Sequence, residues 1–392
     1  MEEFVGQPPA RSTEVYSSVL WYSIKNGPPV GRFLCYTTVT VMLMSFICDK
    51  RQKLEMEGRV AENSKILCDN LAARKALFET LGGLPETAVQ NGEWLYMLGE
   101  ETRNSVAVEG YFATEQELRA VLRGRKSFPE ILNYYRIAQS TYDLALQYAR
   151  EGEVRLDLSL VRHVHSELFR ELSHRRGEFR LGRIEIQRAK IRPPEFDVVE
   201  YVRCWIQLSL VWLETLPILP ALARSHTLFE SIHPFDDGNG RAGRILLNYL
   251  AVSKGYPPII IKGFTQEERD RYYHALEAAD QALQQGFPGP QSERLWKQLE
   301  RGRFSSLEEL LYEGLLMGMD PLIVAAMERR EPLIEFKLLA PQLGVQESTL
   351  RQWVHRGKLL AAKRGKKLYS HPRLLLDRGA ALVGSDDDGV QR

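Results

Sequence analysis

The chain has 392 residues, 44% hydrophobic and 26% charged, and its 52 Lys and Arg against 51 Asp and Glu leave a net charge of +1. That balance excludes a protein wrapped in a global polyanion-binding surface, so any nucleic-acid contact must come from a local patch. The length exceeds what one core supports and implies more than one domain. The four cysteines, Cys35, Cys48, Cys68 and Cys204, show no CxxC spacing. This argues against a zinc site or a disulfide framework and fits a reducing, cytoplasmic compartment.

Residues 1–55 read as a separate N-terminal segment. Residues 1–32 carry Gly, Pro and Ser without clear periodicity. Phe33 to Cys48 is an uncharged run of 16 residues, short against the roughly 20 of a spanning helix. It lacks the layout of a signal peptide and does not argue for a membrane partner. A buried strand, an anchor, or a stretch upstream of a start at Met44 or Met56 all stay open.

From Met56 the pattern turns helical, and residues 56–150 form an N-terminal helical region. Ile66, Leu67, Leu71, Leu77 and Leu81 predict an amphipathic helix stopped by Gly82 and Gly83. A second helix runs from about Glu93 to Val108, ended by Gly110. Thr114 with Glu117 is a capping box that opens a third. Pro129 starts a fourth, through Ile131, Tyr134, Ile137 and Leu144. Residues 151–285 form the core region. Leu158 to Leu172 is its first helix. Arg183 to Arg192 then alternates, with Ile184, Ile186 and Ile191 between charged residues, and predicts a short hairpin. Val198 to Leu213 returns to helix, broken by Pro217 and Pro220, and Leu222 to Ile232 is a helix that delivers His233. Residues 286–330 read as a connecting helical linker, with a helix from Leu307 to Met327. Residues 331–377 are a distinct unit and 378–392 a flexible, acidic tail.

His233 to Arg244 reads HPFDDGNGRAGR and carries the chemistry. His233 is a candidate base, because an imidazole titrates near neutral pH. Asp237 is a carboxylate suited to a hard cation such as Mg²⁺. Gly238, Asn239 and Gly240 lead into an apolar helix, and such a loop presents free N–H groups and a positive dipole end to an anion. Arg241 and Arg244 fall on one helix face and can grip further phosphates. His165 and His226 read as packing or hydrogen-bonding residues, and Tyr272 and Tyr273 are as readily core as contacts to a base.

This run resembles the Fic signature, HPFx[D/E]GNGRxxR, at every fixed position. The stretch ending in Phe235 resembles the family's helix into the motif, residues 177–194 its flap, and Tyr272 and Tyr273 its YYxxL stretch. The resemblance covers roughly residues 60 to 280. It implies a mainly α fold, with a Fic-type helical core and a short β-hairpin flap. It further implies transfer of AMP from ATP, with Mg²⁺, to a Ser, Thr or Tyr hydroxyl of a protein substrate. His233 would be the base and Asp237 the metal ligand. Gly238, Asn239 and Gly240 would stabilise the α-phosphate, Arg241 and Arg244 would hold the outer phosphates, and Tyr272 and Tyr273 would join the nucleotide site. Ile184, Ile186 and Ile191 would align an extended target segment. Gly240 favours AMP over phosphate transfer.

Ser105 to Gly110 resembles the family's inhibitory helix, (S/T)xxxE(G/N). Glu109 would then pair, two-pronged, with Arg244, and Ser105 would anchor the helix. The same glutamate permits hydrolysis of an AMP–protein bond, so a deAMPylase is the alternative. Residues 338–373 resemble a winged helix-turn-helix, with Arg351, Arg356, Lys358, Lys363, Arg364, Lys366, Lys367 and Arg373 and no acidic residue between Ser348 and Leu376. Duplex DNA is the partner this implies, and a protein-interaction module its rival. A DNA-binding regulator with a nucleotide-sensing core is the competing reading of the whole chain. A homodimer stays open.

Overall fold

The computed structural model describes residues 62–85, 91–187 and 189–376, so the expectations for Phe33 to Cys48 and for the acidic tail lie outside the described residues. Helices dominate. Helix α1 is Glu62–Thr80, α2 Gly92–Val108, α3 Glu115–Leu122, α4 Pro129–Glu151 and α5 Leu158–Leu168. After the flap segment come α6 Val198–Thr215, α7 Ile218–Ile232, α8 Asn239–Ser253 and α9 Gln266–Ala279. Then follow α10 Ser292–Leu299, α11 Ser305–Arg330, α12 Phe336–Gln342 and α13 Glu347–His355.

Local signals set most boundaries. The Asn91 side chain accepts from Trp94 N and opens α2. Thr114 and Glu117 close the reciprocal capping box of α3. Pro129 sits in the first turn of α4, and Gly152, left-handed at φ 70°, ends it. Pro220 does not break α7, which already runs from Ile218. It lies in the first turn, where the missing N–H has no helical partner to lose.

Helix α8 is the axis of the core. Nearly every residue along it is buried, and α2, α4, α5 and α7 pack around it. Helix α11 lies against α1, α7 and α9 and buries Leu307, Leu311, Leu315, Met319, Ile323 and Met327. It is long and apolar enough to cross a membrane by length and composition, but 61% of its apolar window is buried in the protein. That surface is spent on the core, while its C-terminal end leads into the last unit.

The segment expected as a hairpin, residues 183–192, is non-helical but its arms form no ladder among the described residues. Its feet are drawn together by Arg180, whose guanidinium donates to the carbonyls of Gly182 and Pro194. The sheet that is present belongs to the C-terminal unit. It has three antiparallel strands, β1 (Ile334–Glu335), β2 (Ala362–Arg364) and β3 (Lys367–Ser370), in the order β1-β3-β2. Helices α12 and α13 pack beside it, joined through Gly344 at φ 65°.

One buried arginine joins this unit to the core. Arg74 of α1 is 1% exposed; its Nε meets Asp320 of α11 at 2.8 Å and its Nη2 donates to Gly357 O at 3.0 Å. Arg74→Ala would strand the Asp320 carboxylate and is expected to cost about 3 kcal/mol, the range for breaking a buried pair. Urea unfolding measures the loss, and limited proteolysis should show the C-terminal unit cut first. An unchanged midpoint would remove Arg74 from that role.

Candidate active site

A cavity of about 720 Å³ opens where the end of α7, the start of α8, the flap and α9 meet. His233, Asp237, Gly238, Asn239, Gly240 and Glu109 all line it. The sequence run thus folds into one wall, and the helix end carrying Glu109 reaches it from more than a hundred residues upstream.

His233 closes α7 in the left-handed region, at φ 51° and ψ 62°. A non-glycine residue there is held by its surroundings rather than by preference. Its ring Nδ1 lies 3.1 Å from Glu230 O. A carbonyl only accepts, so Nδ1 carries the hydrogen and Nε2 is left with its lone pair. Burial pushes the imidazole down to about 4, partly opposed by that carbonyl, with Arg180 adding to the depression. The ring is therefore neutral at physiological pH, the form that can take a proton.

The loop after His233 is clamped, not free. Asn239 Oδ1 accepts from Phe235 N and Asn239 Nδ2 donates to Phe235 O, both at 2.8 Å. The Asn239 amide thus holds the loop, and the residue lines the cavity as well. Phe235 is stacked on His165, 3.8 Å between centroids. His165 is buried and held near pKa 4 by that burial; it accepts from Gly177 N and its Nε2 lies 3.0 Å from Asp237 O. Read in sequence as a packing histidine, it fixes the main chain under Asp237. Gly238, at φ 74°, has Phe169 so close that a Cβ would lie 2.3 Å from that ring.

Asp237 keeps its side chain 76% exposed, with Arg241 at 3.7 Å. Among the described residues no group of three His, Cys, Asp or Glu stands ready to hold a metal. One carboxylate facing a pocket suits Mg²⁺, which keeps waters and arrives bound to phosphate oxygens. Arg241 is 4% exposed, lies over the rings of Tyr111 and Phe169, and leaves its buried Nε without a partner.

Arg244 is 2% exposed and fully engaged on one side. Its Nε donates to Ser105 Oγ at 2.6 Å, and its Nη2 reaches Ser105 O at 3.0 Å and Glu109 Oε1 at 2.7 Å. The pair with Glu109 is single, not two-pronged, through Nη2 and Oε1, while Ser105 takes the Nε edge of the guanidinium. Glu109 is the residue that ends α2. Burial alone would raise its carboxyl; Arg244, with Arg241 and His233, holds it below its ordinary value. Gly240 makes the room, since a Cβ there would lie 2.5 Å from Glu109 Oε1.

The two tyrosines divide. Tyr273 lines the cavity and donates to Val108 O at 3.1 Å, tying α9 to the end of α2. Tyr272 is 1% exposed and is not among the residues that line the cavity; its hydroxyl lies 2.7 Å from His226 Nε2. Ile184, Ile186 and Ile191 line the cavity from the flap. Sequence reasoning missed Arg180. It is buried, its Nε donates to His233 O at 2.7 Å, and its Nη2 reaches Ile232 O and Pro194 O. One side chain thus fastens the flap to the residue that carries the base. Its only sequence trace is an arginine within a segment otherwise read for its isoleucines.

Residues 155–251 match the Fic/DOC family. A probable protein adenylyltransferase of Aquifex aeolicus is 30% identical over 290 residues, covering 68% of this chain and 83% of that protein. The chain belongs to the Fic family. Protein adenylyltransferases Fic of Drosophila erecta and Drosophila melanogaster match at 28% and 29% over 191 residues, and the chain spans only 36% of their length. A Fic-domain signalling protein of Bacteroides thetaiotaomicron aligns with a TM-score of 0.52 at 19% identity, over 68% of this chain and 98% of that one. Fic-1 of C. elegans aligns at 0.50 and 16%, over 82% and 95%. At these identities the structural likeness shows the fold. Fic proteins are enzymes, and this chain is one.

The clamp is the part of the Fic loop most open to a direct test. Asn239→Ala would leave two buried main-chain groups of Phe235 unpaired and is expected to cost about 3 kcal/mol. Thermal unfolding gives the size, and nucleotide affinity should fall at least tenfold by titration calorimetry. A variant of normal stability and affinity would show that the loop holds its shape without the amide.

Proposed function

We propose that this chain is a protein adenylyltransferase that moves AMP from Mg-ATP to a Ser, Thr or Tyr hydroxyl of a protein, restrained by Glu109. The observation that carries the reading is the neutral His233, with Nε2 unencumbered on the wall that also holds Asp237 and the start of α8. His233 takes the proton of the incoming hydroxyl. The oxygen bonds to the α-phosphorus, and the bond to the β-phosphate oxygen breaks to release pyrophosphate. The main-chain N–H of Gly240, at the start of α8, faces the charge that develops, as a donor fixed before the reaction, while Gly238 N donates to Asp237 Oδ1 at 2.6 Å and orients that carboxylate. Asp237 would hold Mg²⁺, which neutralises phosphate charge when bound. Arg241, with its unpaired Nε, and Arg244 hold the outer phosphates.

The restraint follows from the same geometry. While Ser105 and Glu109 hold Nε and Nη2 of Arg244, a γ-phosphate cannot take the place of Glu109 on that guanidinium, and the Glu109 carboxylate repels it. The flap, with feet held by Arg180 and no ladder of its own, leaves main-chain groups for an extended target segment to pair with. Hydrolysis of an AMP–protein bond by the same site is the alternative activity.

Labelling with α-³²P-ATP tests both parts. His233→Ala should lose transfer by at least a thousandfold while nucleotide still binds, and retained transfer would remove His233 as the base. Glu109→Gly should raise transfer and self-labelling. Accumulation of AMP on a target already modified would point to hydrolysis, and no change would end the restraint. With the imidazole held near 4, its proton-accepting form persists to well below pH 6, so the acid limb of transfer should lie near pH 4 to 5.

For the C-terminal unit we propose a winged helix-turn-helix that meets duplex DNA, with α13 as the helix presented. Its charge is more committed than the sequence implied. Arg364 pairs with Glu328, Lys367 with Glu335, Arg373 with Glu331 and Arg351 with Glu347. Arg356, Lys363 and Lys366 have no ion pair among the described residues and define a smaller footprint. Replacing these three by Ala should flatten the salt dependence of duplex binding by about one log–log unit for each phosphate that is no longer neutralised. Fluorescence anisotropy over a salt series measures it. No binding at low salt would return the unit to a protein-interaction role.

A further inference from the structure

Glu230 is a carboxyl that this mechanism leaves unused. It stands on α7 three residues before His233, and its main chain and side chain do different things. The carbonyl holds His233 Nδ1, while the side chain lines the cavity. Its Oε1 is buried without a hydrogen-bond partner. The carboxyl rests over Gly243 of α8, in a hollow that any larger residue would fill, since a Cβ on Gly243 would lie 2.0 Å from Oε1.

The charges around it do not balance if Glu230 is ionised. Arg244 is the one guanidinium that acts on it, and Glu109 already makes a direct pair with that guanidinium at 2.7 Å. The groups facing Glu230 are Arg244 on α8, Glu109 at the end of α2, Tyr272 and Tyr273 on α9, and His233 on its own chain segment. Both tyrosines are pushed up by burial and stay neutral, and His233 is neutral too. Glu109 holds the direct pair with Arg244 and has Arg241 beside it as well, so Glu230, whose Oε1 is buried without a hydrogen bond, is the carboxyl that keeps a proton. A carboxylic acid is also more useful here. A triphosphate entering this cavity meets a carboxylate as a repelling charge, but meets a carboxylic acid as an O–H donor.

We propose that Glu230 acts as an un-ionised carboxylic acid, a hydrogen-bond donor of the cavity wall toward the nucleotide, and that its ionisation weakens nucleotide binding. The inference rests on the nucleotide-binding reading of this site. In support, burial first and Glu109 second, against Arg244, push the carboxyl up to about 8. Glu230 is a positioning residue: it takes no proton from the target hydroxyl and forms no bond to the transferred group.

The test is Mg-ATP affinity of the full chain by titration calorimetry from pH 7.2 to 9.5, above the range where the γ-phosphate itself titrates. In the native chain the affinity should be level to about pH 8 and then fall about tenfold per pH unit, the slope of one proton required for binding. Glu230→Gln keeps the size and the donor but cannot ionise, and its affinity should be level throughout. In Glu109→Gly the neighbouring anion is gone, and the bend should move to lower pH. Asp280 also lines the cavity, with its carboxyl pushed up to about 7 by burial, but it would bend both curves alike. A native curve with no bend, or a bend that survives in Glu230→Gln, would overturn the assignment while leaving nucleotide binding intact. Absence of Mg-ATP binding at every pH would overturn the nucleotide reading and this inference together.

Discussion

A guanidinium buried at the middle of the core dictates the arrangement around it. Arg244 leaves α8 inside the protein, where an unpaired charge would cost several kcal/mol. Its partners come from one face of α2. Glu101, Ser105 and Glu109 follow at four-residue spacing, and Arg244 and Asn248 follow at the same spacing on α8. The two stripes meet in opposite order. Ser105 accepts from Arg244, and one turn away Glu101 Oε1 accepts from Asn248 Nδ2 at 3.2 Å and from Tyr134 at 2.5 Å. Burial pushes Glu101 up to about 8, against Tyr134 and Arg244, so this inner contact is a neutral one. The helix is anchored by the inner pair, and the outer one is the contact on which the proposed restraint rests. Glu109 is its terminal residue, with Gly110 turning away at φ 87°, so the carboxylate can leave the fork while the helix stays docked.

The loop beside it is built to stay still. It begins at His233 and turns into α8 at Gly238, both in the left-handed region. Between them the Asn239 amide, the stacked rings of His165 and Phe235, and the Arg180 guanidinium hold the main chain from three sides. Preorganised N–H groups stabilise developing charge only if they need not move when it appears. The number of buried polar side chains devoted to holding the backbone, rather than to lining the cavity, follows from that requirement.

Much of this was legible in the sequence, for reasons that differ by element. The helix spans follow from apolar spacing, and the starts of α3 and α4 from the local chemistry of Thr114, Glu117 and Pro129, whereas the Asn91 cap of α2 showed only in the structure. The signature placed His233, Asp237 and the glycines on one loop because those residues are contiguous. What it could not give are contacts between distant segments. Arg180 serves the site only because the flap folds back over the end of α7. Asn239 looks like a ligand in sequence and is a clamp in space, since its partner is the main chain four residues earlier. Tyr272 and Tyr273 are adjacent, yet a helix turns neighbours about 100° apart, so one faces the cavity and the other the core. Helix α11 read as a connector because its pattern is apolar on several sides, and periodicity alone does not say what covers such a helix.

Helix α11 also touches both α2 and the C-terminal unit. Gly318 lies so close to α2 that a Cβ would stand 2.9 Å from Met97 Sδ, and Arg329 pairs with Glu93 at the other end of α2. Two residues further along, Glu331 meets both Arg373 and His371 of the C-terminal unit. Arg74 adds a third tie, holding α1, α11 and the turn at Gly357 together. The helix that ends in Glu109 and the unit read as a winged helix therefore pack against one rigid element. Helix α2 is thus held along its length by α11 and at Glu101 by the neutral contact with Asn248 and Tyr134, while the charged pair of Glu109 with Arg244 stands at its end.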